Sequence, residues 1–172
     1  MSERRVLVTG GAGFVGSNLA HRLLGEGWRV VVFDNLSRDG ATKNLEWLRR
    51  AHGGACDVRV GDVRDAAAVR EAMDGANHVF HLAAQVAVTT SLDDPRADFE
   101  ANALGTINVL EAARAQHEAP AVFYTSTNKV YGALGDVALR LASGRYEPER
   151  ARVRDSGISE SQPLDFRSPY GC

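Results

Sequence analysis

A chain of 172 residues is long enough for one domain with a real core, and 44% hydrophobic with 24% charged residues is the balance of a soluble globular protein. Twenty basic against 22 acidic side chains leave a formal charge of −2, with no electrostatic footprint for nucleic acid or an anionic membrane, so neither is an expected partner. Cys56 and Cys172 have no metal-ligand spacing and no disulfide framework, which points to a reducing, cytoplasmic setting. The N-terminal "MSERRVLVTGG" has no apolar core of signal-peptide length, and no run approaches the roughly 20 apolar residues of a membrane helix.

The first element is a strand over residues 5–9, "RVLVT". "VTGGAGFVGSNLA" follows it, and Val15, Leu19, Leu23 and Leu24 then repeat at helical spacing. A second strand covers 29–33, and Leu45 and Leu48 mark the next helix. Further strands are expected over 57–60, 78–82 and 121–126, with "DAAAVREAMDG" helical between the first two. These runs are apolar throughout, as strands buried on both faces should be. The longest helix is "DPRADFEANALGTINVLEAARAQ", with Asp94 as N-cap, Pro95 at the first helical position, and Phe99, Ala103, Ile107 and Leu110 sharing its buried stripe. After Ser126 the chain turns polar, irregular and rich in arginine, and Arg140, Arg145, Arg150, Arg152 and Arg154 are expected on a solvated excursion.

Five strands separated by helices predict an α/β fold, a Rossmann-type doubly wound parallel sheet. The glycines sharpen this. Gly10, Gly13 and Gly16 fit GxxGxxG between a strand and an amphipathic helix. One glycine allows the tight turn, one lets backbone approach a pyrophosphate, and one packs helix against strand. The helix opening near Phe14 and Val15 aims its free N–H groups at the phosphates. Asp34 lies 18 residues after Gly16, where an acid accepts from ribose hydroxyls and repels a 2′-phosphate, so NAD is favoured over NADP. The plainer reading is that Asp34 starts the "DNLS" turn. Arg38 weakens the preference for NAD, since an arginine pairs with phosphate. Asp62, in "GDVRD", faces the adenine edge or is only a turn acid. His81 reads as a satisfied core histidine.

Taken together, "VTGGAGFVGSNL", "FDNLSR", "GDVRD", "HLAAQVAVTTS", "NALGT" and "STNKVYG" resemble the extended short-chain dehydrogenase/reductase family, the NAD-dependent sugar-nucleotide epimerases and dehydratases. The resemblance runs from Arg5 to Cys172. "STNKVYG", "AVTTSLDDP" and "LDFRSPYGC" are similar to the branch that epimerises C2 of CDP-3,6-dideoxyhexoses. It implies a nucleotide-sugar substrate, a CDP-hexose favoured, and a homodimer in the full-length form. It also implies cofactor contacts from Asn35, Ser37, Arg38, Asp62, Val63, Leu82, Ala83, Ala84, Gln85 and Asn102. For Asn102 an alternative stands: tying its helix to a neighbouring loop.

The family's catalytic hydroxyl matches Thr127, and its YxxxK tyrosine matches Tyr170. The alternative readings are a cap for Thr127 and helix-start packing for Tyr170. By resemblance, Tyr170 takes a proton from a sugar hydroxyl as hydride leaves the same carbon, and hydride returns to the other face. The family lysine that favours the phenolate falls two positions beyond Cys172. The expectation is therefore a truncated chain: a cofactor-binding domain over 1–132, an excursion and the start of the tyrosine helix over 133–172, and no last strands or substrate lobe. Such a chain is expected to turn over slowly, if at all. Dehydration is disfavoured, because Asn128 and Lys129 stand where that subgroup carries an acid and a carboxylate base. The rivals are a UDP-sugar 4-epimerase and a non-catalytic NAD-binding module.

Overall fold

The computed structural model describes residues 4–172. Residues 1–3, part of the N-terminal stretch read above for a signal sequence, lie outside the described residues. The strands are β1 (Arg5–Thr9), β2 (Arg29–Asp34), β3 (Cys56–Val60), β4 (His78–His81) and β5 (Ala121–Tyr124). They form a five-stranded sheet in the order β3-β2-β1-β4-β5, and every neighbouring pair is parallel. The helices are α1 (Phe14–Gly25), α2 (Ala41–His52), α3 (Ala66–Met73), α4 (Val88–Asp93), α5 (Pro95–Phe99) and α6 (Gly105–Arg114). A π turn, Glu100–Leu104, joins α5 to α6.

The pleat explains the two layers, since successive side chains point to opposite faces. Val6, Val8, Val30 and Val32 bury against Ala20, Leu23, Leu24, Leu45 and Leu48 on one face. Leu7, Val31, Phe33 and Val79 bury against Val69, Met73, Val109 and Ala112 on the other. Caps set the helix starts: the Asp65 carboxylate accepts from Ala67 and Ala68 N–H, and Asp94 accepts from Ala97 N–H with Pro95 behind it.

Two expectations need correction. The stripe Phe99, Ala103, Ile107, Leu110 does not face the core: Phe99, Ile107 and Leu110 are exposed and Ala103 is half-buried, while Asp98, Gly105, Val109, Ala112 and Ala113 are buried. The π turn adds backbone within the helix and rotates the face that follows. Small residues then meet the core: a Cβ on Gly105 would lie 2.7 Å from Val63 Cγ2. The excursion is also more regular than expected. It carries an antiparallel hairpin, β6 (Leu139–Ala142) with β7 (Arg145–Pro148), and a short helix α7 (Ala151–Ser156). Its arginines are mostly exposed, and Arg140 and Arg145 both pair with Glu147.

The sheet reverses direction of growth between β1 and β4, so their C-terminal loops diverge there. Such a switch point is where open α/β sheets bind ligands. No helix among the described residues is long and apolar enough to cross a membrane.

Candidate functional site

The glycine turn sits at this switch point. Gly10 leaves β1 at φ +66°, and a Cβ there would lie 2.7 Å from Ala83 N, so the turn leans directly on the loop after β4. At Gly13 a Cβ would come within 3.2 Å of Gly10 O, and at Gly16 it would strike that same carbonyl. Gly13 N–H donates to Gly10 O at 3.0 Å, closing the turn. Gly13 is also the N-cap of α1, which has no side-chain cap and no acid in its first turn. A dinucleotide diphosphate fits this cradle: side chains are excluded from it, and the amides and the dipole of α1 remain available. Phe14 and Val15 are exposed beside it.

Asp34 ends β2, and its carboxylate is built into the turn. Oδ2 accepts from Ala12 N–H at 3.0 Å, and Oδ1 accepts from Leu36 N–H at 2.8 Å. The turn-acid reading and the ribose reading are compatible, since each carboxylate oxygen has a second lone pair. Asn44 Nδ2 donates to Ala12 O at 2.7 Å and fixes the turn from α2. Asn35 Oδ1 accepts from Ser37 N–H at 3.1 Å.

Asp62 is already committed. Arg64 donates to it from Nε and Nη2 at 2.9 and 2.8 Å and Asn35 Nδ2 at 2.9 Å, which holds its carboxyl far below the usual carboxylate range. Val63 is a core residue, so only its backbone remains to meet a ligand. Arg38 Nη2 donates to Gln85 Oε1 at 3.4 Å, linking the loops after β2 and β4.

Beside the turn lies a cavity of about 960 Å³. Val15, Leu82, Ala83, Ala84, Asn102, Thr127 and Tyr170 all line it. The structure thus brings both expected catalytic residues and five of the expected cofactor contacts to one space; the glycines, Asp34 and Asn35 do not line it, and Gly10 backs onto its wall at Ala83. Thr127 caps a 3-10 turn, Asn128–Tyr131: its Oγ1 accepts from Lys129 N–H at 3.2 Å. Capping uses a lone pair and leaves the hydroxyl proton free to donate. Tyr170 sits in a second 3-10 turn, Pro169–Gly171, where Ser168 caps and Tyr170 N–H donates to Ser91 Oγ at 3.3 Å.

Beneath the cavity runs a hydrogen-bond chain. His81 is 2% exposed, and burial pushes its pKa down to about 4, so the ring is neutral. Its Nδ1 meets Thr9 Oγ1 at 2.7 Å and its Nε2 meets Thr106 Oγ1 at 3.0 Å. Thr9 Oγ1 also accepts from Leu82 and Ala83 N–H. His81 is the satisfied core histidine expected. Asn102 takes the tying role: its Oδ1 accepts from Gln85 N–H at 2.8 Å and its Nδ2 donates to Gln85 O at 3.0 Å.

Sequence reasoning missed Asp98, Ser91, Asn44 and Thr106. Asp98 had a signal: a carboxylate four positions before Asn102 lies on the same helix face. Asn44 had none, because its partner is a backbone carbonyl 32 residues away.

The chain is similar to known proteins along nearly its whole length. Residues 7–149 match the family model for GDP-mannose 4,6 dehydratase. The chain is 45% identical to the CDP-paratose 2-epimerase of Salmonella typhi over 98% of this chain and 49% of that protein. Among solved structures, the NAD complex of UDP-glucose 4-epimerase from Thermus thermophilus superposes with a TM-score of 0.70 at 35% identity, over 97% of this chain and 46% of that one. The NAD complex of the Brucella ovis UDP-glucose 4-epimerase gives 0.71 at 31% identity, over 98% and 43%. The chain spans about half the length of the curated relatives it matches. With its parallel sheet, its glycine turn and these likenesses, the chain belongs to the NAD-dependent epimerase/dehydratase family, the extended short-chain dehydrogenases/reductases.

Proposed function

We propose that this chain provides the cofactor-binding domain and two catalytic side chains of a nucleotide-sugar epimerase, one that inverts C2 of a CDP-linked 3,6-dideoxyhexose. The observation that carries this is the shared cavity of Thr127 and Tyr170 beside the glycine turn. The 45% identity to a CDP-paratose 2-epimerase supports the finer assignment of base and carbon.

In this reading Gly10, Gly13 and Gly16 hold the diphosphate of NAD, Asp34 the adenosine ribose, and Val15 and Leu82–Ala84 wall the nicotinamide half. Bound there, NAD supplies a reversible hydride acceptor. As its phenolate, the Tyr170 side chain takes the proton from a sugar hydroxyl and, as the phenol so formed, later returns it. Thr127 donates its free hydroxyl proton to the same oxygen and holds it in line. The cap at Thr127 makes that hydroxyl rigid, so little order is lost on binding. Asn128 and Lys129 offer no carboxyl pair for eliminating water, which favours epimerisation over dehydration. The exposed Leu104 and Leu110, which lie outside the cavity, support the expected pairing of two copies through the α5–α6 helix.

The test is a long incubation with NAD⁺ and either a CDP-linked 3,6-dideoxyhexose or UDP-glucose, followed by NMR. Slow inversion at C2 of the first and none at C4 of the second is expected. Inversion of UDP-glucose alone would replace this reading with the 4-epimerase.

A further inference from the structure

Asp98 is the one carboxylate among the buried residues described, 3% exposed. No cation is paired with it among the described residues. Its Oδ1 accepts from two neutral amides, Gln85 Nε2 at 3.0 Å and Asn102 Nδ2 at 3.2 Å. Each amide spends its second hydrogen on the loop after β4: Gln85 Nε2 on Ala87 O at 2.8 Å, and Asn102 Nδ2 on Gln85 O at 3.0 Å. Their oxygens accept in return, from Ala87 N–H at 2.7 Å and Gln85 N–H at 2.8 Å. Every backbone donor and acceptor of Gln85 and Ala87 is therefore satisfied by one of these two side chains.

That arrangement works only in one orientation of each amide. Turned over, either amide would present an oxygen to Asp98 and to a backbone carbonyl. A carboxylate can only accept, so Asp98 selects the orientation that the loop requires. The loop in turn walls the cavity with Leu82, Ala83 and Ala84, and Gly10 leans on Ala83.

We infer that Asp98 is a positioning residue for the cofactor cleft: through the amides of Gln85 and Asn102 it fixes the path of residues 82–87. The inference rests on the dinucleotide reading of the cleft. Asp98 itself lines the cavity, yet its inferred action is through acceptor geometry, which the asparagine variant separates from charge. Both amides use Oδ1, so an asparagine that keeps this oxygen in place retains both bonds, whereas leucine retains neither.

The test compares wild type, Asp98→Asn and Asp98→Leu, with Asp98→Ala as a second variant lacking the acceptor should leucine not fold. Two readouts are used, backbone amide exchange in the ligand-free chain and calorimetric titration with NAD⁺. Leucine or alanine is expected to speed exchange at Gln85 and Ala87 by about tenfold or more, with β1 and β2 amides unchanged, and to weaken NAD⁺ by a similar factor. Asparagine is expected to stay near wild type in both. Unchanged exchange at Gln85 and Ala87 in the leucine and alanine variants would overturn the inference, as would an asparagine variant as impaired as they are. A wild-type chain that binds no NAD⁺ would instead refute the cleft reading, and amide exchange alone would then decide the role of Asp98.

Discussion

His81 Nε2 donates its hydrogen to Thr106 Oγ1 at 3.0 Å, because the Thr106 hydroxyl has its own proton committed to Asn102 O at 2.6 Å. The ring is neutral, so Nδ1 must accept, and the Thr9 hydroxyl donates to it at 2.7 Å. One directed chain thus runs from the end of β1, through the end of β4, to the π turn that carries Asn102. It leaves no place for a second proton on the ring.

This predicts acid sensitivity in a defined window. His81 has an ordinary pKa of 6.5 and a folded value lowered to about 4, so between these the unfolded state binds more protons. Stability is therefore full above 6.5 and falls as pH drops toward 4, by about 3 kcal/mol in all. Asp62 acts lower. Its lowered pKa adds stability that is present above the ordinary aspartate value and is lost on further acidification. Urea unfolding from pH 7 to pH 4 checks the first window. A His81→Gln variant should lose most of that slope.

The glycines separate turn from site. A Cβ at Gly16 meets Gly10 O, and one at Gly27 meets nothing, although Gly27 has φ +80°. Gly16→Ala should weaken NAD⁺ binding about a hundredfold by pushing the cradle apart. Gly27→Ala should cost only about 1 kcal/mol of stability and leave NAD⁺ binding unchanged. Titration and thermal melts of both variants measure the contrast.

The cap that Thr127 makes and the catalytic role proposed for it share one hydroxyl. Thr127→Ser keeps the cap and the free proton, and should retain activity. Thr127→Val loses both, and Tyr170→Phe loses the acid/base proton. Each should lower C2 inversion about 10²- to 10⁴-fold, read by NMR of the CDP sugar.

The sheet was legible because β1 and β2 are buried on both faces; the edge strands β3 and β5, expected to be buried likewise, are more exposed because each has a neighbouring strand on one side only. Runs such as "RVLVT" and "RVVVF" are apolar without alternation, and their ends agree with the structure within a residue or two. β5 stops at Tyr124, two residues before the expected Ser126, because the chain leaves the edge to line the cavity and to form the cap at Thr127. The face of the α5–α6 helix was not legible. Periodicity weighs large apolar residues, and here the core takes Gly105, Ala112 and Ala113 while Phe99 and Ile107 line the cavity. At the site, the glycines and Asp34 carried local signals, and Thr127 and Tyr170 were picked out by the family resemblance. Asn44 and Ser91 work through partners distant in sequence, which residue order does not encode; for Asp98 it showed the placement four positions before Asn102 but not the amide orientation that the carboxylate selects.

In the proposed reading the Gly10–Gly16 turn with Asp34 holds a dinucleotide. Calorimetric titration of this chain with NAD⁺, beside Asp34→Ala, tests it most directly. Asp34→Ala removes the acceptor for both Ala12 and Leu36 N–H. Saturable one-site binding by wild type, weakened about tenfold or more in the variant, is the predicted result. Absence of saturable binding at millimolar NAD⁺, or equal affinity in wild type and variant, would contradict it.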